Sequence, residues 1–290
     1  MDKMKEMRIV HINLSGSNGG AAIAAYRLHC EMRKNGLDSK MLVAFQGIRS
    51  RQEGVYQFSI RKKLHHKVNV MINQLLYPAS KIIGTYSFAF NGCDLSKEND
   101  IREADFIYLH WINMGMLSIY DVERILKLGR PVFWFMHDMW PLTGGCHHAF
   151  DCTKYLEKCI DCPLLHRKRD MLFCKFQFEE KYRIFSKYSN LKIIAPSTWL
   201  FHLASTSLLF KNKQLIHIPN LCDINIFKPM GKGWAKRLFN LSESKKLILF
   251  GAATGGWEIY IKGGNICKKP FCIYLLLPMR LLYLVSIIKQ

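Results

Sequence analysis

One stretch of this sequence, residues 131 to 163, constrains the fold more than any other. It begins with an uninterrupted apolar and aromatic run, Val132 to Met136, which lies between Pro131 and the polar pair His137 and Asp138. A short apolar run bounded in this way is typical of a strand buried on both faces of a parallel sheet. Ligands of open α/β sheets bind outside the carboxyl ends of the strands, so an imidazole and a carboxylate at this position indicate a site.

Four cysteines follow this strand end at C-x5-C-x6-C-x2-C spacing: Cys146, Cys152, Cys159 and Cys162. The spacing is compatible with a zinc site, because a C-x2-C pair can chelate from one turn while two further thiolates arrive from a loop. The first pair is more widely spaced than in most zinc ribbons, and His147 and His148 are alternative ligands. Free or disulfide-bonded cysteines packed in the loop account for the pattern equally well.

Composition and charge exclude some classes of protein and favour others. The chain has 290 residues, of which 49% are hydrophobic, so it is not a disordered protein. Its formal charge of +20 is spread along the chain and predicts a field that favours phosphorylated substrates or anionic membrane surfaces. Basic and aromatic residues do not interleave in a recognition motif, so no nucleic-acid partner is predicted.

The N-terminal residues do not resemble a secretion signal, because charges interrupt residues 1 to 14 where a signal peptide would be continuously apolar. We therefore expect a cytoplasmic protein, with peripheral contact at the inner face of the membrane as an additional expectation. In that compartment, ten cysteines favour reduced thiols or a metal over a disulfide framework.

The first part of the chain predicts a strand, a glycine-rich loop and a helix, at residues 7–14, 15–20 and 21–34. The pair Gly19 and Gly20 would let the backbone approach a ligand, and the helix N-terminus would offer amides to an anion. The GxGxxG order of a dinucleotide fingerprint is missing. A tight turn without a ligand therefore remains the alternative.

Further strands are predicted at residues 39–45, 105–111, 132–136, 191–195 and 214–218. Small or polar pairs lie at the ends of five predicted strands: Gly19-Gly20, His110-Trp111, His137-Asp138, Pro196-Ser197 and Pro219-Asn220. The predicted fold class is α/β, a Rossmann-like parallel sheet flanked by helices, with these pairs on one edge. Residues 49 to 87 are ambiguous, since their basic helical segment could face a membrane, an acidic partner or simply solvent.

The pattern changes toward the C-terminus. We predict a Rossmann-like acceptor domain over residues 1–220, a linker over 221–240, the start of a nucleotide-sugar-binding domain over 241–264 and an apolar tail over 265–290. A membrane anchor in the tail is the less favoured interpretation, because Pro278 and Arg280 interrupt its apolar run. A change of reading frame or a truncation better explains why the alternation of predicted strands and helices stops in the tail.

Several of these segments together resemble family 4 of the glycosyltransferases, in particular the polysaccharide or colanic-acid type, and cover residues 7 to about 230. They are HINLSGSNGGAAIAAYRLHCEMRKNGLDSKMLV, DFIYLHWINMGMLSI, HDMWPLTGGCHHAFDC with KCIDCP, IIAPSTWL and HIPNLCDINIFKP, of which HDMWPLTGGC is the most specific. The resemblance implies a GT-B fold, that is, two Rossmann-like domains facing a cleft. It also implies transfer from a UDP- or GDP-linked sugar to a glycan or lipid-linked acceptor, with retention and no obligatory metal.

The resemblance also implies roles for individual residues. Gly19 and Gly20 match the loop that approaches the donor phosphates and the acceptor, with His110 and Asn220 on the same binding rim. His137 matches the histidine near the transferred sugar, although a satisfied core histidine is the alternative. Asp138 would orient that imidazole or cap the next turn. Lys262 resembles the lysine that neutralises the donor diphosphate.

Two functions follow from the sequence. The first is a retaining glycosyltransferase of surface polysaccharide biosynthesis. The second is a non-catalytic acceptor-domain fragment or binding module, because the paired-glutamate E-x7-E segment that holds the donor in the family is not present in this sequence.

Overall fold

The computed structural model describes residues 7–47, 53–76 and 85–242, together with three strands further on. By internal contacts the chain divides into two units, Met1–Cys222 and Asp223–Gln290. The larger unit contains every predicted site residue except Lys262.

A seven-stranded parallel sheet forms the centre of the first unit, in the order β3-β2-β1-β4-β5-β6-β7. Its strands are β1 (Arg8–Ser15), β2 (Asp38–Phe45), β3 (Val55–Gln57), β4 (Phe106–Leu109), β5 (Val132–Phe135), β6 (Leu191–Ala195) and β7 (Gln214–His217). The predicted fold class, a Rossmann-like α/β sheet flanked by helices, is confirmed.

Helices connect most of these parallel strands, as is usual for parallel pairing. They are α1 (Gly20–Lys34), α2 (Ile60–Leu76), α3 (Asn99–Arg102), α4 (Ile119–Leu126), α5 (Lys168–Lys187) and α6 (Thr198–Thr206). Two of them begin at serines, which satisfy otherwise unpaired amides. Ser118 forms a capping box with Asp121, and the Ser197 side chain accepts a hydrogen bond from the Leu200 amide.

The strand predicted at residues 132–136 lies in the middle of the core. Val132, Trp134 and Phe135 are buried, and the Trp134 ring contacts the rings of Trp140 and Phe185. Burial on both faces explains why the sequence of β5 is a continuous apolar run. The strand brings the residues that follow it to the carboxyl edge of the sheet.

The sequence did not predict β3 and left α2 ambiguous. β3 is only three residues long and lies at the edge of the sheet, so its pattern is too short to recognise. The α2 helix is ambiguous for a different reason, because its apolar residues do not face the core.

The second unit contains the helix α7 (Lys232–Leu238), which lies within the range predicted as a linker. Beyond it, β8 (Leu247–Ala252), β9 (Tyr274–Leu276) and β10 (Leu282–Ile287) form an antiparallel sheet in the order β8-β10-β9. Two of these strands fall in the range predicted as an apolar tail. None of the helices in the described ranges is long and apolar enough to cross a bilayer.

Candidate functional site

The candidate site lies at the carboxyl edge of the seven-stranded sheet. The chain builds the sheet from β1 outward to β3 on one side and from β4 to β7 on the other, so the order reverses between β1 and β4. Such a reversal leaves a crevice outside the strand ends, where ligands of α/β sheets bind. Gly19 and Gly20 follow β1, while His110 and His137 follow the adjacent strands β4 and β5.

The glycine-rich loop joins β1 to the N-terminus of α1. Its turn is held by the Ser15 hydroxyl oxygen, which accepts hydrogen bonds from the Asn18 amide at 2.9 Å and the Ser17 amide at 3.3 Å. Gly19 has φ 89° and ψ 167°, a conformation available essentially to glycine alone. A Cβ atom at Gly19 or Gly20 would meet no atom within 4 Å, so open space lies beside this part of the loop.

Three histidines form a chain that runs from the core to the rim. The Nδ1 atom of His11, in β1, lies 3.0 Å from Nε2 of His110, and Nδ1 of His110 lies 3.0 Å from Nε2 of His137. His11 and His110 are buried, whereas His137 is partly exposed. Each imidazole stacks on the next, with ring centroids 5.3 and 5.2 Å apart. The rim therefore presents His137 on a support made of two buried histidines.

Burial keeps the three histidine rings uncharged near neutral pH. It lowers the pKa of His137 to about 4, against a smaller opposing effect of Asp138. It lowers the pKa of His11 to about 3, with a contribution from His29, and that of His110 well below its usual range. Each of the three rings therefore carries a single proton, so each contact between them has one donor and one acceptor.

Asp138 serves a different network from its neighbour His137. Its Oδ2 atom accepts hydrogen bonds from His147 Nδ1 at 2.6 Å and from Trp111 Nε1 at 2.9 Å, and its Oδ1 atom accepts one from the Trp140 amide at 2.8 Å. The bond from the Trp140 amide lies in the turn that follows Asp138, and the role of Asp138 in orienting the His137 imidazole stays a prediction. The described contacts of His137 do not include a hydrogen bond to this carboxylate.

Burial of Asp138 opposes its ionisation, but the interaction with His147 and the three hydrogen bonds outweigh this effect and hold its pKa below the usual value. His147 in turn contacts the Ser87 hydroxyl through Nε2 at 2.9 Å. The sequence named His147 as an alternative metal ligand, and here both of its nitrogens have protein partners.

The four cysteines of the predicted zinc site lie around a small cavity of about 20 Å³. A fifth thiol, Cys174 of α5, lines the same cavity and hydrogen-bonds to the Cys159 carbonyl. Burial raises the pKa of Cys146 to about 12, which favours the protonated thiol. No group of three or more histidine, cysteine or acidic side chains in the described ranges is placed to hold a metal ion. The zinc site stays a prediction.

A buried lysine fixes the segment between the rim and the cysteines. The Lys181 ammonium nitrogen, on α5, donates hydrogen bonds to the carbonyls of Trp140 at 2.6 Å and Thr143 at 2.9 Å. It also lies 3.4 Å from the centroid of the Trp140 ring. Burial lowers its pKa to about 7. Lys181 thus ties α5 to the turn that follows His137 and Asp138.

The remaining predicted residues are less informative. Asn220 is exposed and follows β7 at the same edge of the sheet as the other strand ends. Lys262 lies outside the described residues.

The sequence analysis missed His11, Cys174 and Lys181. A histidine inside an apolar strand was the only signal for His11. Lys181 and Cys174 lie in α5, whose many charged residues are typical of an exposed helix.

Two comparisons with known proteins bear on this site. No protein-family model matches the chain. The chain is 21% identical over 165 residues to a protein of Escherichia coli (strain K12) that bears the name of a colanic acid biosynthesis glycosyl transferase, WcaC. The aligned region covers 55% of this chain and 40% of that relative, so the chain spans less than half of the relative's length. The comparison supports a distant relationship to a glycosyl transferase of polysaccharide biosynthesis.

Proposed function

We propose that this chain contributes to a retaining glycosyltransferase of family 4, with a GT-B fold, in surface polysaccharide biosynthesis. The donor would be a UDP- or GDP-linked sugar and the acceptor a glycan or a lipid-linked glycan. The distant similarity to a protein named for such an activity supports the reaction class. The observation that carries the proposal is the position of His137, whose neutral and partly exposed imidazole lies near the point where the strand order reverses.

His137 would act through its Nδ1 atom. Its Nε2 atom is engaged by His110, and the described part of the chain supplies no hydrogen-bond partner for Nδ1. A neutral imidazole at this rim can exchange hydrogen bonds with sugar hydroxyls without placing a second positive charge beside an oxocarbenium-like transition state. Its free nitrogen is therefore suited to orient a sugar rather than to protonate it.

The histidine chain decides whether Nδ1 of His137 donates or accepts. The Nε2 atom of His11 is buried and has no partner in the described part of the chain. An unpaired buried N–H is rarer than an unpaired acceptor, so the proton of His11 belongs on Nδ1, where it donates to His110. His110 then donates from Nδ1 to His137, which leaves His137 protonated on Nδ1. We infer that His137 donates a hydrogen bond to its ligand.

His110 would therefore act through His137 as a positioning residue. Both of its ring nitrogens face other histidines and its side chain is buried, so it offers no nitrogen to a ligand. This role differs from the direct ligand contact expected from the strand-end pattern. It explains why a histidine follows both β4 and β5.

The Gly19-Gly20 loop would receive the negative part of the substrates. The first turn of α1 carries no acidic residue, and the space beside both glycines is open. Amides at a helix N-terminus favour phosphate oxygens through hydrogen bonds and the helix dipole. The formal charge of +20 would further favour phosphorylated donors. Lys262 would neutralise the diphosphate, as the family resemblance implies, and no metal would be required for the transfer.

The test is an assay of sugar release or transfer by the purified chain, with UDP- and GDP-linked sugars as donors. We expect turnover that falls by about 100-fold or more in His137→Ala, the usual effect of losing a transition-state hydrogen bond. His202→Ala, an exposed histidine of α6, is the matched control and should retain turnover. Nucleotide-sugar binding without turnover would instead support the non-catalytic binding module. Equal turnover in both variants would contradict the role of His137.

A further inference from the structure

The helix α2 presents its apolar side chains to solvent. Five of them recur at intervals of three or four residues and therefore share one face of the helix. All five are exposed, with the fractional exposures Ile60 87%, Leu64 65%, Val68 40%, Met71 55% and Leu75 71%. A surface helix normally turns such a face toward the core. We call these five residues the α2 stripe.

The opposite face of α2 attaches to the protein through polar groups. Asn69 is buried and donates to the Gly115 carbonyl at 3.3 Å, and His66 contacts the Met114 carbonyl at 3.0 Å. Lys62 forms an ion pair with Glu98. Asn73, one turn further along this face, is buried as well. The orientation of α2 is thus fixed by hydrogen bonds that hold the α2 stripe outward.

Basic residues border the α2 stripe on both sides. At 100° per residue, Arg61 lies on one side of the stripe and Lys67 on the other, and both are exposed. The sequence of α2 contains no acidic residue at all. An apolar stripe between cationic side chains is the pattern of a helix that lies in the plane of a membrane interface.

The helix α5 also exposes apolar side chains, close to the end of α2. Arg169 Nη2 donates to the carbonyl of Leu76 at 2.9 Å, which places the first turns of α5 beside the end of α2. Leu172 and Phe176, one turn apart on α5, are 65% and 47% exposed. Exposed apolar side chains of a second helix therefore lie near one end of the α2 stripe, whereas soluble proteins usually expose such side chains singly.

We propose that the α2 stripe and its basic borders dock on an anionic lipid bilayer. The charge argues for this occupant over a second copy of the chain. Two copies meeting through this face would bring together helices that carry Arg61 and Lys67 without a single acidic partner, in a protein of formal charge +20. A bilayer of negative surface potential satisfies both the apolar stripe and the cations. The inference is independent of the proposed sugar transfer.

The experiment is cosedimentation of the purified chain with vesicles. One set contains phosphatidylcholine and phosphatidylglycerol, and the other phosphatidylcholine alone. The triple variant Leu64→Gln, Met71→Gln, Leu75→Gln replaces three apolar side chains of the α2 stripe. Glutamine is polar but still favours helix. Its matched control is Ile224→Gln, Ile226→Gln, Met230→Gln, which removes three similarly exposed apolar side chains from the second unit. A double variant, Arg61→Gln with Lys67→Gln, tests the basic borders.

We expect the unaltered chain and the control to bind the anionic vesicles and the stripe variant to bind at least about tenfold more weakly. The double variant should bind more weakly and with a smaller dependence on salt. Circular dichroism verifies that each variant is folded. Equal binding by the stripe variant would overturn the proposal, as would strong binding to phosphatidylcholine alone that the double variant leaves unchanged. A dimer that the stripe variant dissociates, without vesicle binding, would assign the face to self-association.

Discussion

The Nδ1 atom of His110 lies 3.0 Å from the Nε2 atom of His137, and this contact gives the rim of the sheet a histidine of defined orientation. The two residues follow adjacent parallel strands, β4 and β5. Their rings stack with centroids 5.2 Å apart. Because His110 also contacts His11, we expect the protonation of His137 to depend on a side chain buried in β1.

The first prediction concerns the tautomer of His137. We expect nitrogen-15 spectra of histidine-labelled protein to show His137 protonated on Nδ1. His11→Phe keeps a ring stacked on Tyr108 but removes the donor to His110, so His137 should then populate both tautomers. His11→Asn, which can still present an N–H near the Nδ1 position, should restore much of the original state.

His202→Phe is the control for these spectra, because His202 is exposed and far along the chain from the three histidines. If His137 is protonated on Nε2 in the unaltered protein, the hydrogen bonds are donated in the opposite direction, from His137 to His110 and from His110 to His11. A tautomer unchanged by His11→Phe would show that His11 does not set it. The spectra require no substrate, so these outcomes are independent of the proposed transfer.

The second prediction compares the two glycines of the loop. Gly19→Ala should lower the free energy of unfolding by about 1–3 kcal/mol, since alanine must adopt a conformation that only glycine tolerates. Gly20→Ala should be neutral or stabilise the protein by up to about 1 kcal/mol, because Gly20 is the first residue of α1. Urea denaturation measures both. A larger cost at Gly20 would contradict the backbone description.

The third prediction is a pH dependence due to Lys181. Its pKa in the folded protein is about 7, below the ordinary 10.5, so the unfolded chain binds more protons between these values. Stability contributed by this group therefore rises with pH above 7. Relative to Lys181→Met, the unaltered protein should gain up to about 1.4 kcal/mol per pH unit between pH 7 and pH 9.

Denaturation curves at several pH values check this dependence. Lys211→Met, which removes an exposed lysine near the end of the first unit, should show no such difference from the unaltered protein. A difference between Lys181→Met and the unaltered protein that is constant with pH would mean that Lys181 stays charged in the folded state, despite its burial.

The fourth prediction concerns the thiols around the small cavity. Burial raises the pKa of Cys146, and a hydrogen bond with Cys159 is the main cause that raises the pKa of Cys174 to about 11. Iodoacetamide at pH 8 should therefore modify exposed Cys222 at least about 100-fold faster than either residue. Peptide mass spectrometry after timed quenching measures the rates. One zinc per chain, released as the thiols react, would instead support the predicted metal site.

Much of the first unit was predictable because its strands are short apolar runs with polar ends. β5 is the clearest case, since the run from Val132 is buried on both faces and ends where His137 begins the rim. Ser197, in the polar pair that follows the strand predicted at residues 191–195, caps α6 in the structure. These features depend on local pattern, which a single sequence retains.

Contacts between distant segments were not predictable in the same way. His11 is one histidine in an apolar strand, and only the pairing of β1 with β4 brings it to His110. Lys181 lies among charged residues of α5, yet it is fully buried against two carbonyls. Helix α2 was ambiguous because it buries its polar face, the reverse of the pattern on which helix orientation is usually judged.

The central position of β1 has a consequence for synthesis of the protein. This strand leaves the ribosome before both of its neighbours and can pair with β2 soon afterwards, but its other neighbour, β4, is translated only after α1, α2 and α3. Until then one edge of an almost wholly buried strand stays unpaired, which exposes it to other nascent chains. Nascent chains that stall before Phe106 should therefore depend on chaperones to remain soluble.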